Sequence, residues 1–259
     1  MNVKELLSLK NKIILVTGGA GLYGKTIVEG LAEADGTVLT ASRNLDAGQK
    51  VAEEFRGKGL DVHAMRVDQA DHKSVIALKH QIQNAFGRLD VFVNNAVARP
   101  MKGYNAPMEQ FAESMRVNAT GMMDILREMI DIIAQSGGGS IINISSMMGM
   151  FGPDLSNYEG TNMGDLPPDY FFHNAGLINL TRYLTRVLAD KNIRANCISP
   201  GGLLNDQPQR FLENYCKKVP SGRRMANNDD IKGIVVLLAS EASAYINGEN
   251  ILMDGGMHA

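Results

Sequence analysis

Tryptophan is absent from the chain, cysteine occurs twice in 259 residues, and no apolar run reaches the length of a membrane span. Cys197 and Cys216 form no metal-ligand spacing, so a zinc motif and a disulfide-stapled scaffold are excluded and two reduced thiols, buried or idle, are expected. Neither sign of charge prevails: 26 Lys and Arg stand against 28 Asp and Glu, a formal net charge of -2. That balance offers no electrostatic footing on nucleic acid or on an anionic membrane. Met1 to Lys12 is a short amphipathic lead-in without the long apolar core of a signal peptide, so a cytoplasmic location is expected. What the chain does hold is ordinary for a globular protein, 44% hydrophobic and 21% charged residues. Its length suits one large α/β domain with a full core and is short for two.

Short β-branched runs alternate with longer helical stretches. The pattern predicts strands at Ile13–Val16, Thr37–Ala41, Val62–Val67, Asp90–Val93, Ser140–Ile144, Arg194–Ile198 and Asn250–Met253. It predicts helices at Lys25–Ala34, Asp46–Lys58, Lys73–Phe86, Met108–Ala134 and Tyr170–Asp190. Apolar strands separated by helices argue for a parallel sheet buried on both faces. Right-handed crossovers then make a doubly wound α/β fold. No internal repeat or low-complexity tract interrupts it.

Between the first strand and the first helix lies Thr17-Gly18-Gly19-Ala20-Gly21-Leu22-Tyr23-Gly24. Gly19-x-Gly21-x-x-Gly24 matches the dinucleotide fingerprint in the strand-turn-helix context that gives it meaning. Glycines let the backbone turn tightly and approach a pyrophosphate, which then rests on a helix N-terminus.

Joined by Asn94-Asn95-Ala96, Asn118, Ser145-Ser146, Tyr170 and Ser199-Pro200-Gly201, this turn makes the chain resemble the short-chain dehydrogenase/reductase family over nearly its whole length. The resemblance is to the compact one-domain branch. It implies a single Rossmann-fold domain over residues 1–259 and a bound nicotinamide cofactor. It implies cofactor contacts from Gly18, Gly19, Gly21, Leu22, Tyr23 and Gly24, from Asn94 and Ala96, and from Pro200, Gly201 and Leu203. Two positions depart from the usual pattern. Leu22 stands where this branch has glycine, a spacing more like the extended branch, and Val97 replaces the glycine after Asn-Asn-Ala.

An acid at the end of the second strand would favour NAD(H) by binding the ribose 2′-hydroxyl. Ser42 and then Arg43 stand there instead. Loss of the acid removes repulsion toward a 2′-phosphate, and a guanidinium can pair with it, so NADP(H) is favoured while NAD(H) stays possible. The bland alternative is a solvated Arg43 offset by nearby Asp46. Asp68 matches the family position at the adenine end, or else caps the next helix.

The resemblance gives Asn118 the role of holding a proton-relay water, unless it merely faces solvent. It gives Ser146 a hydrogen bond to the substrate oxygen, with Ser145 turned to the other face. Tyr158 and Tyr170 both begin Tyr-x-x-x-Asn runs, ending at Asn162 and Asn174. Register selects Tyr170: Ala175-Gly176-Leu177, Thr181, Leu184 and Ser199-Pro200-Gly201 follow it as they follow the family's tyrosine. Tyr158 falls in a Gly-, Asn-, Asp- and Pro-rich segment at about 152–168, an inserted loop placed to cover a substrate.

At position 174 the family carries lysine, which binds the nicotinamide ribose and assists the tyrosine; here it is asparagine. An amide keeps a hydrogen bond but has no charge. A cation that shifts a phenol by about two to three units contributes about 3–4 kcal/mol, or a hundred- to a thousandfold on the chemical step. His173 lies one residue, about 100°, from that site and is expected to be a surface histidine. Three readings of Asn174 stand: an introduced inactivating change, a family member with altered chemistry, or a retained fold with a binding role. A lyase or isomerase that retains its nicotinamide is a more distant alternative.

The stretch Pro153 to Met163, with Asn205-Asp206-Gln207-Pro208, looks like a bacterial subgroup of oxidoreductases linked to flagellin modification and nonulosonic sugars. A small-molecule substrate, a sugar or a nucleotide-linked sugar, is implied, and the polar side chains of the insert suit hydroxyl recognition. Glu241 to Gly256 resembles the family's C-terminal segment, which implies a homo-oligomer, dimer or tetramer.

Overall fold

Seven apolar segments pair edge to edge in the computed structural model, which describes residues 1–259. They are β1 (Ile13–Thr17), β2 (Thr37–Ser42), β3 (Val62–Arg66), β4 (Val91–Asn94), β5 (Gly139–Ile144), β6 (Ile193–Pro200) and β7 (Asn250–Met253). Every pairing is parallel, and the sheet order is β3-β2-β1-β4-β5-β6-β7. Parallel neighbours need crossovers. Helices supply them: α2 (Leu22–Glu33), α3 (Leu45–Gly57), α4 (His72–Phe86), α5 (Met108–Met115) with α6 (Met122–Gln135), α7 (Pro168–Val187), and α8 (Gln209–Cys216) with α9 (Lys232–Ala239). A short α1 (Val3–Leu7), closed by a capping box between Asn2 and Glu5, precedes β1. No helix is long and apolar enough to cross a membrane.

The period of two along each strand divides the core between the two faces of the sheet. Leu15, Phe92 and Ile141 join one cluster of 23 buried residues, beneath α4, α6 and α7. Ile14, Val16, Val93 and Ile142 join another of 20, beneath α2, α3 and α9. Each fully buried Leu, Ile or Phe contributes about 1.5–3 kcal/mol, and both faces are dry, as a doubly wound sheet requires.

Two segments differ from expectation. The stretch predicted as one helix from Met108 is divided by a π-turn at Arg116–Gly121. A π-turn inserts a residue, breaks the regular bonding ladder and turns a side chain that an α-helix would aim elsewhere. Here Gln69 Nε2 donates to the Val117 carbonyl at 3.0 Å. Gly121 allows the close approach, since a Cβ there would stand 2.4 Å from the Gln69 carbonyl oxygen. The helices α8 and α9 are additions: α8 buries Phe211, Asn214 and Tyr215 along one face, whereas α9, Lys-Gly-Ile-Val-Val-Leu-Leu-Ala, is apolar on every side beyond its first residues and reads equally well as strand.

The strand order reverses between β1 and β4. At such a switch point the loops leaving neighbouring strands part in opposite directions and open a crevice at the carboxyl edge of the sheet. The glycine turn after β1 and Asn94-Asn95-Ala96 after β4 border that crevice.

Candidate active site

A cavity of about 690 Å³ runs along the crevice, lined at one end by Arg43 and Asp68 and at the other by Ser146 and Tyr170. Its floor is the glycine turn. Gly18 has φ +68, and a Cβ on Gly24 would stand 2.1 Å from the Gly18 carbonyl oxygen, so the turn closes only without side chains. A Cβ on Gly19 would stand 2.2 Å from Thr40 Oγ1. Gly21 is the N-cap of α2 and offers no side-chain cap, which leaves the first amides of the helix open to an anion. Leu22 is exposed at that helix start, whereas the Tyr23 ring packs inward with its hydroxyl buried and unpaired. Burial, then Asp230, raises the Tyr23 phenol well above the ordinary range.

Asn95 fixes this floor to β4, a role the sequence reading passed over. Its Nδ2 donates to the carbonyls of Thr17 (2.9 Å) and Gly18 (3.2 Å), while the Asn95 and Ala96 amides both donate to Thr17 Oγ1 at 3.1 Å. Asn94 turns the other way and donates to Asn143 Oδ1 at 3.0 Å, beginning a buried polar chain that ends at Thr181.

At the β2 end, Ser42 Oγ donates to the Asn44 carbonyl at 2.9 Å. Arg43 lines the cavity and forms no ion pair, with Asp46 or with any other acid. Its charge is therefore unpaired and reaches Glu113 only at a distance. The cap of α4 is Asp71, not Asp68: Asp71 accepts from the Lys73 amide, while Asp68 Oδ1 accepts from the Ala70 amide at 3.0 Å and the residue borders the cavity.

Asn118 sits within the π-turn and is buried rather than solvent-facing. Its Oδ1 accepts from the Ala98 amide at 2.8 Å, and its Nδ2 donates to the Ala98 carbonyl at 2.7 Å and to Ser114 Oγ at 3.0 Å. This two-point clamp holds the chain leaving β4. Arg99, next in sequence, lays its guanidinium 5.0 Å from the centroid of the Tyr170 ring.

Ser146 follows β5 and caps a short 3-10 turn, Met147–Gly149, accepting from the Met148 amide at 3.2 Å. Its hydroxyl proton stays available at the cavity wall. Ser145 faces the other way and donates to the Asn174 carbonyl at 3.1 Å. Tyr170 and Asn174 lie one turn apart on α7, both against the cavity. Asn174 is buried, and its Nδ2 donates to the Tyr170 carbonyl at 2.8 Å, so the group left over is an acceptor oxygen and not a cation.

His173 is not on the surface. It is 8% exposed, it borders the cavity, and its ring stands edge-on to Tyr170 with centroids 5.4 Å apart. Measured from Asn174 it lies 100° away, but it is three residues from Tyr170, and residues three apart share a helix face. Burial pushes its imidazole down to about 4, against the opposing pull of Asp169 one turn back, and Nε2 has no partner. The i, i+3 spacing from the tyrosine was the available signal. For Arg99 there was none, because the bend that brings it over the ring depends on the Asn118 clamp.

Residues 152–168 form the roof. Lys218 Nζ gathers Asp154 and Ser156 Oγ at 2.5 Å each and Asn157 Oδ1 at 2.7 Å, and Asn214 Nδ2 donates to the Glu159 carbonyl at 3.0 Å. The loop is thus strapped to α8, and those polar side chains serve its own fold. The apolar surface beside it comes mainly from other segments: Met147, Phe211, Tyr215 and Met225 are buried, with Phe151, Tyr158 and Met163 packed against them, while Asp154 and Asn157 of the loop still border the cavity. Tyr158 rests on Phe211 with centroids 5.2 Å apart. Pro200 and Gly201 close the wall at the end of β6, and Leu203 is held by a bridge to Ala226. Gly202 donates to the Tyr215 hydroxyl at 2.7 Å.

Sheet order, glycine turn and the convergence of Ser146 and Tyr170 define a class: nucleotide-binding α/β proteins whose crevice ends at a serine and a tyrosine. A family model described as "Enoyl-(Acyl carrier protein) reductase" matches residues 21–258, and the chain belongs to the short-chain dehydrogenase/reductase family. It is 30% identical over 257 residues to the Post-translational flagellin modification protein A of Campylobacter coli, covering 96% of this chain and 98% of that one. Among solved structures it is similar to a gluconate 5-dehydrogenase from Burkholderia cenocepacia in complex with NADP and tartrate, with TM-score 0.89, 25% identity and coverage of 99% and 98%. It is also similar to a short chain dehydrogenase from Leptospira borgpetersenii with bound NAD+, with TM-score 0.86, 28% identity and coverage of 100% and 96%.

Proposed function

We propose that the protein is a nicotinamide-dependent oxidoreductase that interconverts a carbonyl and an alcohol, with NADP(H) preferred over NAD(H). The observation that carries this reading is the meeting of Ser146, Tyr170 and Asn174 in the cavity that also holds the glycine turn. The cofactor supplies or accepts the hydride. The open amides at the start of α2 suit its pyrophosphate, and the unpaired Arg43 charge beside Ser42 suits a 2′-phosphate. Similar structures that hold NADP and NAD+ support the cofactor class, and Arg43 supports the choice within it.

In this reading Ser146 donates a hydrogen bond to the substrate oxygen, and Tyr170 gives or takes the proton at that same oxygen. Asn174 accepts from a ribose hydroxyl. It orients without adding charge, so turnover is slow for the family. Asn118 has one lone pair of Oδ1 left for a relay water, its other polar atoms being bound to Ala98 and Ser114. The insert at 152–168 covers the substrate as a fixed roof on a single domain. A sugar or nucleotide-linked sugar accords with the flagellin-modification relative and with the gluconate dehydrogenase neighbour. A homo-oligomer is part of the reading: Phe172, Tyr183 and Val187 leave an exposed apolar stripe along the outer face of α7.

One observation favours a second reading, a cofactor-binding protein without turnover: no cation occupies position 174. Calorimetry with NADPH and NADH, paired with turnover of a carbonyl and alcohol panel, separates the two. Tight cofactor binding with no turnover in either direction refutes the enzyme.

A further inference from the structure

The substrate end of the cavity mixes apolar side chains with neutral polar ones such as Asn157, Asn205 and Gln207, and nearly all of its charged groups are neutralised within the chain. Asp154 is paired with Lys218, and His258 with Asp254. His173 is held neutral by burial, and unpaired Asp169 lies behind it, outside the cavity lining. Arg99 is the exception: it borders the cavity, has no carboxylate within 4.0 Å, and makes no side-chain hydrogen bond to the rest of the chain.

Its side chain is exposed, but the backbone that carries it is fixed. The Asn118 clamp fixes Ala98 at both its amide and its carbonyl, Lys102 Nζ donates to the Arg99 carbonyl at 3.1 Å, and the guanidinium lies over the Tyr170 ring at 5.0 Å. The approach to the ring uses none of the guanidinium N–H groups as a hydrogen-bond donor to the chain, so they remain available to a ligand. A planar fork of donors held beside the proposed proton donor, with no acceptor in the chain, is the arrangement that receives a carboxylate or phosphate. In the same cavity, Met147, Phe151 and Tyr158 offer apolar surface for the carbon body of the same molecule.

We infer that Arg99 anchors an oxyanion borne by the substrate, so that the enzyme acts on acids whose charged group lies a few bonds from the reacting carbon. This rests on the oxidoreductase reading for the reaction, though not for the binding. The test is calorimetry on the NADP+-loaded protein with gluconate and levulinate as carboxylates, sorbitol and methyl levulinate as neutral counterparts, and glucose 6-phosphate as the phosphate arm. Arg99→Met and Arg99→Lys are run beside the wild type, with NADP+ affinity as the control for fold. The wild type is expected to bind at least one anion and neither neutral counterpart. Arg99→Met weakens that binding about ten- to a hundredfold, the range of a charge-assisted bond. Arg99→Lys, with charge but no fork, falls between. Binding confined to the phosphate assigns the anchor to phosphorylated substrates, and binding confined to the carboxylates assigns it to sugar or oxo acids. Equal binding of charged and neutral partners overturns the inference, as does no anion binding or an Arg99→Met variant that keeps full affinity. Binding of the expected kind with no turnover leaves the anchor standing and refutes the oxidoreductase reading alone.

Discussion

Replacing Asn174 with lysine restores the one charge that the site lacks, and Coulomb's law bounds the size of the effect. The side chain leaves α7 one turn beyond Tyr170 and borders the cavity, so a lysine stem has room to extend along the wall. The substitution removes only the bond from Nδ2 to the Tyr170 carbonyl, which already belongs to the helix. A cation about 5 Å from the phenol oxygen, at an effective dielectric of about 20, favours the phenolate by about 3 kcal/mol. That corresponds to about a hundredfold on a step in which the proton is leaving or arriving. Arg99 already places positive potential near the ring, so about a hundredfold, not a thousandfold, is the expected gain. The assay is steady-state oxidation and reduction across pH, with cofactor affinity measured separately. Turnover should rise with little change in KM, and the rising limb of the oxidation profile should move to lower pH. A gain below about threefold, with cofactor affinity intact, would show that another group carries the proton and refute the reasoning.

The buried His173 makes stability depend on pH. Its imidazole is pushed from 6.5 to about 4 in the folded chain, so below pH 6.5 the unfolded chain takes up a proton that the folded one refuses. Stability is complete above pH 6.5 and falls as pH drops toward 4, with about 2 kcal/mol lost by pH 5; His173→Phe should abolish that loss, read as the difference between urea midpoints at pH 5 and 7.5. Arg43→Ala should weaken NADP(H) about ten- to a hundredfold and leave NAD(H) within a few fold, measured by calorimetry. Equal losses for both cofactors would mean that Arg43 does not meet the 2′-phosphate. Asn118→Ala strips the Ala98 amide and carbonyl of their partners and should cost about 2 kcal/mol in urea unfolding. Gly24→Ala should destabilise the cofactor-free protein far more than Gly21→Ala, because the new Cβ lies 2.1 Å from a backbone oxygen in the first and 3.3 Å in the second.

Much of this protein is determined by its sequence. Strand length and β-branching in Ile13–Thr17 and Val91–Asn94, and the period of two that splits Leu15 from Ile14 and Val16, dictate a parallel sheet dry on both faces. The glycine turn is legible for the same reason: a positive φ and a 2.1 Å approach admit no side chain, so the constraint is written in residue identity. What tertiary structure alone decided depends on contacts between segments far apart in the chain. The π-turn exists because Gln69, from the loop after β3, captures the Val117 carbonyl and Gly121 lets the two backbones touch. Only that turn aims Asn118 at Ala98 and so holds Arg99 above Tyr170. The polar insert resembles a sugar-binding loop as sequence, yet Lys218 and Asn214 engage Asp154, Ser156, Asn157 and the Glu159 carbonyl, so these groups serve the loop's own attachment. Local pattern records what a backbone can do; which partner a polar side chain finds is settled by the fold that brings the partners together.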